Sequence, residues 1–303
     1  MKHVPVLLNE VLKYLDPHPG EFMIDGTVDG GGHASAIMEK IASGGTFLGV
    51  DWDEDMVKAR IAAREARGKN DPLHKVREHY VHGNYADLPE ILISEKLGKA
   101  DGLLLDLGFS SEQLASAGRG FSFSEATRDD PLLMTYSDER PPVAELIRTL
   151  TEEELANIIF EFGGERLSRR IAKAIKDVGR KTRITTSGEL ADVVRSAVPH
   201  NYERGRIDAA TRTFQALRIY ANDELGNLER VINDLQNILK PGGRAVIISF
   251  HSLEDRIVKQ SFQKAAKEKK VTILTKKPVA AERAEIVENP RSRSAKLRAV
   301  CIG

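Results

Sequence analysis

Two rhythms of apolar positions run along this chain of 303 residues. In the first hundred residues, short apolar runs alternate with stretches whose apolar positions recur at helical spacing. Residues 6–15 predict a helix that stops at Asp16-Pro17, since a residue before proline is disfavoured in helical backbone. Residues 22–25 predict a short buried strand, followed by a glycine loop and a helix over 34–42. A second strand is expected over 46–50 and a helix rich in alanine and charge over 53–66. Residues 79–84 predict a third strand, ended by Gly83, and 88–97 another helix. Asp101-Gly-Leu-Leu-Leu-Asp106 is almost wholly apolar, as expected of a parallel strand covered on both faces. Strands alternating with helices at this pitch predict an α/β sheet.

After Gly108 the rhythm changes. Residues 109–208 offer only polar loop and helices, with capping boxes at Thr151–Glu154 and Thr186–Glu189. Leu155, Ile158, Ile159 and Phe162 form one apolar stripe; Leu167, Ile171, Ala174, Ile175 and Val178 form another. A long helical segment over 211–239 ends at the turn Pro241-Gly-Gly243, and strands are expected over 244–250, 271–274 and 297–302. The order predicts an all-helical domain, 109–208, inserted between the fourth and fifth strands of an α/β domain made from 1–108 and 209–303.

Composition narrows the classes. Lys and Arg total 45 against 45 Asp and Glu, so there is no global basic field and nucleic-acid binding must come from a local patch. A single cysteine, Cys301, excludes an internal disulfide and a cysteine-based zinc knuckle, and suits a reducing compartment. The apolar run at residues 4–8 is too short for a secretory segment, and no stretch approaches the ~18 apolar residues of a membrane span. A cytoplasmic protein is expected.

Candidate chemistry centres on Gly30, Gly31 and Gly32 between the first strand and its helix. Three glycines let backbone approach a ligand closely, and a helix start offers unpaired N–H groups, so a nucleotide-like ligand is implied. Asp51 ends the second strand about 20 residues on, the offset at which an acidic side chain reaches a ribose hydroxyl. That pairing suits NAD or S-adenosylmethionine, although the spacing G-x-G-x-x-G is absent. Asp25, Asp51, Asn84, Tyr85, Asp106 and Phe250-His251-Ser252 all fall at strand ends, where ligands of open sheets sit. Tyr85 can lie on an adenine face and Asp106 can accept a hydrogen bond from a substrate amine; singly, each also suits packing or capping, as does Ser252 with Asp255. Methylation at a pyrimidine ring carbon generally needs a thiolate, and Cys301 lies two residues from the end, which argues against that chemistry. His3, His33, His79, His82 and His251 are scattered rather than at metal-ligand spacing, so no metal site is expected. Between Arg166 and Arg218 stand 13 basic residues against 5 acidic ones, and residues 289–298 add a second basic run. Two such runs beside a nucleotide-type fold favour RNA over a merely solvated surface.

Several long segments carry a resemblance. They are His3-Val-Pro-Val-Leu-Leu8, Asp25-Gly-Thr27 with Gly31-Gly-His33, Asp101 to Gly108, Arg119-Gly-Phe-Ser-Phe123, Ala210 to Ile219, Pro241-Gly-Gly-Arg244, Ile248 to Lys259 and Asn289-Pro-Arg-Ser-Arg-Ser294. Through them nearly the whole chain resembles the bacterial methyltransferases of the small subunit methyltransferase H family (MraW type), which modify a cytosine N4 of 16S ribosomal RNA. The resemblance implies a Rossmann-like class I methyltransferase sheet with an inserted all-helical substrate-recognition domain. It implies S-adenosylmethionine as cofactor, lined by Gly31, Gly32, His33, Asp51, Tyr85, Asp106 and Gln113, and 16S rRNA in the small ribosomal subunit as partner.

Direct transfer of the methyl group to an exocyclic nitrogen is then expected, with Asp106 as the catalytic group and Arg169, Arg170, Lys173, Arg291 and Arg293 on RNA. The chain departs from the family pattern at Asp29, usually glycine, at Ala34, usually serine, and at Pro131-Leu-Leu-Met-Thr-Tyr136, usually Pro-Leu-Asp-Met-Arg-Met. The last change removes an acidic and a basic residue near the expected RNA side. Two other classes stay open on residues alone: an NAD-dependent oxidoreductase with a helical substrate domain, resting on the loop and Asp51, and a non-catalytic RNA-binding assembly factor that keeps the fold.

Overall fold

The structure, a computed structural model, describes residues 5–68, 71–107, 118–137, 140–202 and 207–303. The chain divides into two compact units, one of residues 1–108 with 225–303 and one of residues 109–224.

The first unit is built on seven strands: β1 Phe22–Asp25, β2 Thr46–Asp51, β3 Arg77–His82, β4 Ala100–Asp106, β5 Leu239–Ser249, β6 Val271–Ile273 and β7 Lys296–Ile302. Their order across the sheet is β3-β2-β1-β4-β5-β7-β6. The first five run parallel, and β7 runs antiparallel to both β5 and β6. This is the α/β sheet expected from the alternation and the Rossmann-like arrangement that the resemblance implied. Successive residues of a strand face opposite sides. Ile24, Leu48, Leu103, Leu105 and Ile247 therefore enter one core, with helices Leu88–Ser94, Glu224–Asn233 and Ser252–Lys267. Met23, Phe47, Leu104 and Val246 enter the other, with helices Leu8–Leu15 and Gly32–Ile41. Burial on both faces is why the central strands lack polar alternation.

Some expected bounds shift. The third strand is Arg77–His82 rather than 79–84, and Asn84 instead accepts the Ala86 N–H at 2.8 Å to start a short 3-10 turn. β5 begins before Pro241-Gly-Gly243: Ala100 pairs with Leu239 but Gly102 with Arg244, so the glycines form an excursion within the strand, with Gly242 at φ +83°. The segment 211–239 is not one helix. Asp223 takes left-handed backbone, φ +51°, and closes helix Thr211–Asn222 before Glu224–Asn233 begins.

The second unit is helical: Val143–Thr149, Glu152–Gly163, Ser168–Gly179, Ser187–Ala197 and Thr211–Asn222. Both expected capping boxes form, each Thr hydroxyl accepting the N–H of the Glu three residues on while that Glu accepts the Thr N–H. Leu155, Ile158, Ile159, Ile171 and Ile175 are buried as expected, but Val178 is 36% exposed because it sits in the last turn of its helix. The expected boundary at 208 moves to 224. Helix Thr211–Asn222 buries Phe214 and Leu217 in the second unit's own core, and Gly163 lets it approach, since a Cβ there would collide with the Arg212 backbone carbonyl. No helix among the described residues is long and apolar enough to cross a membrane.

Candidate active site

Strand order reverses between β1 and β4, and the carboxyl ends of those strands are where an open α/β sheet holds its ligand. Asp25 ends β1, Asp51 ends β2 and Asp106 ends β4. The Thr27 N–H and hydroxyl both donate to Asp25 Oδ1, at 3.1 and 3.3 Å, and Thr27 Oγ1 accepts the Asp106 N–H at 2.7 Å. The ends of β1 and β4 are thus tied by one hydroxyl. Asp25 is fully buried, and that burial raises its pKa to about 7; His33 pulls it down, while Asp106 and Asp51 push it up.

His33 opens helix Gly32–Ile41 and is buried. Its Nε2 lies 2.9 Å from the Val6 carbonyl and its Nδ1 3.6 Å from Asp106 Oδ2. Asp51 accepts the Asp29 N–H on Oδ2 and the Asp53 N–H on Oδ1, both at 2.9 Å. Burial raises Asp51 to about 7 against the lowering effect of those two bonds, with Asp29 and Asp53 adding like charge.

The glycine loop is more enclosed than its sequence suggests. A Cβ on Gly31 would meet the Arg60 guanidinium, whose Nη1 donates to the Gly30 carbonyl at 2.6 Å, and a Cβ on Gly32 would lie 3.1 Å from the Pro5 ring. The missing side chains make room for the protein's own groups. Asp29, where the family pattern has glycine, takes left-handed backbone with φ +39°, a region that few non-glycine residues occupy. Tyr85 is buried, its ring centroid 6.1 Å from that of Trp52, the half-buried neighbour of Asp51. Sequence reasoning passed over Trp52, although it is the chain's one tryptophan and adjoins the expected ribose residue. Arg60 left no signal beyond an ordinary helix position. Gln113 lies outside the described residues.

Other expected roles change place. Helix Ser252–Lys267 is capped by His251 with Glu254, not by Ser252 with Asp255. Asp255 instead accepts from Arg298 Nε at 2.7 Å, and its pKa is lowered by Arg298 and Lys296 against burial. Arg298 is buried, which leaves Arg291 and Arg293 as the exposed arginines of the tail. Thr135, standing where the family pattern has arginine, is buried, and half-buried Tyr136 packs on Phe121 with ring centroids 5.1 Å apart. Cys301 pairs with Arg244 of β5, which faces Gly102 near the start of β4, whereas Asp106 at the end of β4 pairs with Ile248. The thiol stands four residues down the strands from Asp106, roughly 13 Å, and two strands across, roughly 10 Å.

The model of the MraW methylase family matches residues 1–302. The chain belongs to that family. The ribosomal RNA small subunit methyltransferase H of Granulibacter bethesdensis is 44% identical, covering 98% of this chain and 90% of its own. The protein of the same name from Deinococcus radiodurans is 43% identical, covering 98% of this chain and 88% of its own. Among solved structures, a putative rRNA-methylase from Clostridium thermocellum aligns with 99% of this chain at 8% identity and a TM-score of 0.44. As a member of that family the chain takes its methyl group from S-adenosylmethionine. The donor set fits such a ligand: three carboxylates at one strand edge, two of them burdened by burial, complement a molecule with a sulfonium and an ammonium group.

Proposed function

We propose that the chain methylates the exocyclic N4 of a cytosine in the decoding region of 16S rRNA by direct transfer, acting in the cytoplasm on the small ribosomal subunit. The relatives' names support an rRNA substrate. The placement of Asp106 beside His33 at the end of β4, with the chain's thiol at the opposite end of the strands, carries the choice of nitrogen over a ring carbon.

S-adenosylmethionine supplies a methyl carbon already activated for displacement by its positive sulfur. The protein's part is to hold the partners in line and to take up a proton. In this reading Asp51 faces the ribose hydroxyls with lone pairs that its two backbone bonds leave over, and Gly31, Gly32, His33 and Tyr85 complete the cofactor's lining. The target base leaves its stack to bring N4 to the strand edge. Asp106 accepts a hydrogen bond from that amine and orients the nitrogen lone pair toward the methyl carbon. As the N–C bond forms, the C–S electrons stay on sulfur and the amine loses one proton, for which the Asp106 carboxylate is the nearest acceptor in this reading. Arg169, Arg170 and Lys173, all exposed on helix Ser168–Gly179, and Arg291 and Arg293 of the tail, contact phosphates.

Mass spectrometry of nucleosides tests the reading, after small subunits from cells lacking the enzyme are incubated with the protein and the methyl donor. N4-methylcytidine is expected, with Cys301→Ser fully active and Asp106→Ala folded but without turnover. A 5-methylcytidine product, or full activity in Asp106→Ala, overturns it.

A further inference from the structure

Helix Glu152–Gly163 and the start of helix Ser168–Gly179 border an open cavity of about 400 Å3, lined by Asn157, Phe160, Arg166, Leu167, Arg169 and Arg170. Two features set it apart. Phe160 is 57% exposed, although Ile158 and Ile159 beside it are buried. Arg166, Arg169 and Arg170 are exposed, and none has an ion pair or hydrogen bond among the described residues. Four other arginines of the same unit are matched, Arg128 with Asp192, Arg148 with Glu145, Arg180 with Asp177 and Arg195 with Asp208, while Arg183 is exposed and, like these three, has no such partner among the described residues. The buried carboxylate beside Arg166 in sequence, Glu165, accepts the Leu167 N–H at 2.7 Å and the Tyr202 hydroxyl on Oε1, and its Oε2 lies 3.7 Å from Arg212 Nη1. The first turn of helix Ser168–Gly179 contains no acidic residue, whereas the helices on either side of it have Glu154 and Glu189 there.

An uncovered aromatic ring among uncompensated guanidinium groups is the combination that holds single-stranded nucleic acid, the ring taking a base face and the cations its phosphates. We propose that this cavity binds one unstacked nucleotide of single-stranded RNA, other than the one methylated, with its base on Phe160 and its flanking phosphates on Arg166, Arg169 and Arg170. Its volume lies within the ~300–1,000 Å3 of small-molecule pockets. Asn157 is one helical turn from Phe160 on the same face, so its amide meets the edge of a base stacked there. Duplex RNA does not fit, because its bases show edges and not faces. The inference rests on the RNA reading given above.

The test uses the full chain and two probes, an eight-nucleotide oligoadenylate and a ribose-phosphate octamer without bases, measured by fluorescence anisotropy over a salt series. Phe160→Ala should weaken oligoadenylate binding about 5- to 100-fold, keep its salt slope and leave the base-free octamer unaffected. Phe160→Trp should restore the affinity, and replacing Arg166, Arg169 and Arg170 by Gln should weaken both probes and flatten both slopes. Phe160→Ala binding oligoadenylate like the unmodified chain overturns the proposal, as does an equal loss for both probes. Preferential capture of an octaglutamate peptide also overturns it, since the surface would then belong to a protein partner. If the unmodified chain leaves rRNA unmethylated and binds neither probe, the RNA reading itself fails. If it methylates and binds but ignores Phe160→Ala, only the cavity assignment fails.

Discussion

His33 turns one ring nitrogen to the Val6 carbonyl at 2.9 Å and the other toward Asp106 Oδ2 at 3.6 Å. A carbonyl only accepts, so Nε2 carries a hydrogen. A neutral ring so pinned would face the carboxylate with a lone pair; the approach is attractive only if the pair holds a further proton. His33 is thus the imidazole that stands beside the carboxylate proposed to receive the proton from the amine.

His33→Ala should lower kcat about 100-fold and move the pH dependence of kcat. It should also cost about 1–3 kcal/mol of stability, because the buried Val6 carbonyl loses its donor. Single-turnover methylation and urea unfolding measure the two effects. Activity unchanged across pH would show that His33 only packs.

Burial holds Asp25 and Asp51 at a pKa of about 7 in the folded chain, well above the ordinary aspartate value of 3.8. Between those values the folded form binds more protons than the unfolded one. The stability these groups contribute is therefore fully present below about pH 4 and is lost as pH rises through 7. A cationic ligand favours the ionised carboxylates, so affinity for S-adenosylmethionine should rise with pH across 5.5–7.5, with protons released on binding. Calorimetry in buffers of different ionisation enthalpy reads the release. Asp25→Asn should remove part of the pH dependence and stabilise the ligand-free protein at pH 8 by a few kcal/mol, on the order of ~1.4 per unit of relieved shift.

Asp51 holds the glycine loop through the Asp29 N–H, so its loss acts twice. Asp51→Ala should weaken S-adenosylmethionine binding about ten- to a hundredfold and loosen residues 28–31. Asp29→Gly, which relieves the left-handed backbone and withdraws a like charge from Asp51, should stabilise the protein by ~0.5–1 kcal/mol and lower the pH at which binding rises. Thermal unfolding and binding isotherms check both. Unchanged binding in a folded Asp51→Ala would remove it from the ribose.

Each phosphate contact contributes about 0.7–0.9 to the slope of log affinity against log salt. Replacing Arg169, Arg170 and Lys173 by Gln should flatten that slope for rRNA by about two and leave S-adenosylmethionine binding unchanged. An unaltered slope would move the phosphate contacts to Arg291 and Arg293, because Arg298 and Lys296 are committed to Asp255.

The sheet was legible because strands buried on both faces must be apolar through their middle, as residues 102–105 are. The two threonine caps were legible because their chemistry lies within four residues. Contacts between distant residues leave no such local mark. Nothing in the spacing of Ala210, Phe214, Leu217 and Ala221 says which core that helix joins, so the sequence points to a boundary at 208 where the packing puts it at 224. The bond from Asp29 to Asp51 spans 22 residues and joins a backbone group to a side chain, which no periodicity records. Val178 matched its stripe in angle but lay past the point where the neighbouring helices cover it. Cap identity failed by one residue at His251, since a histidine nitrogen seldom plays that part and Ser252 is the commoner choice.

The pairing of β4 with β5 also has a consequence in time. The two strands are adjacent in the sheet, yet residues 107–238 are synthesised between them. At roughly 5–20 residues per second the ribosome leaves the outer edge of β4, with Leu103, Leu104 and Leu105, open for about ten seconds. The second unit is continuous in sequence and can fold meanwhile; the first cannot close until Ile248 emerges to accept the Leu107 N–H. An unpaired apolar strand is a template for aggregation, so the vulnerable moment of this chain falls during its own translation, and slowing elongation within residues 109–238 should reduce the soluble yield.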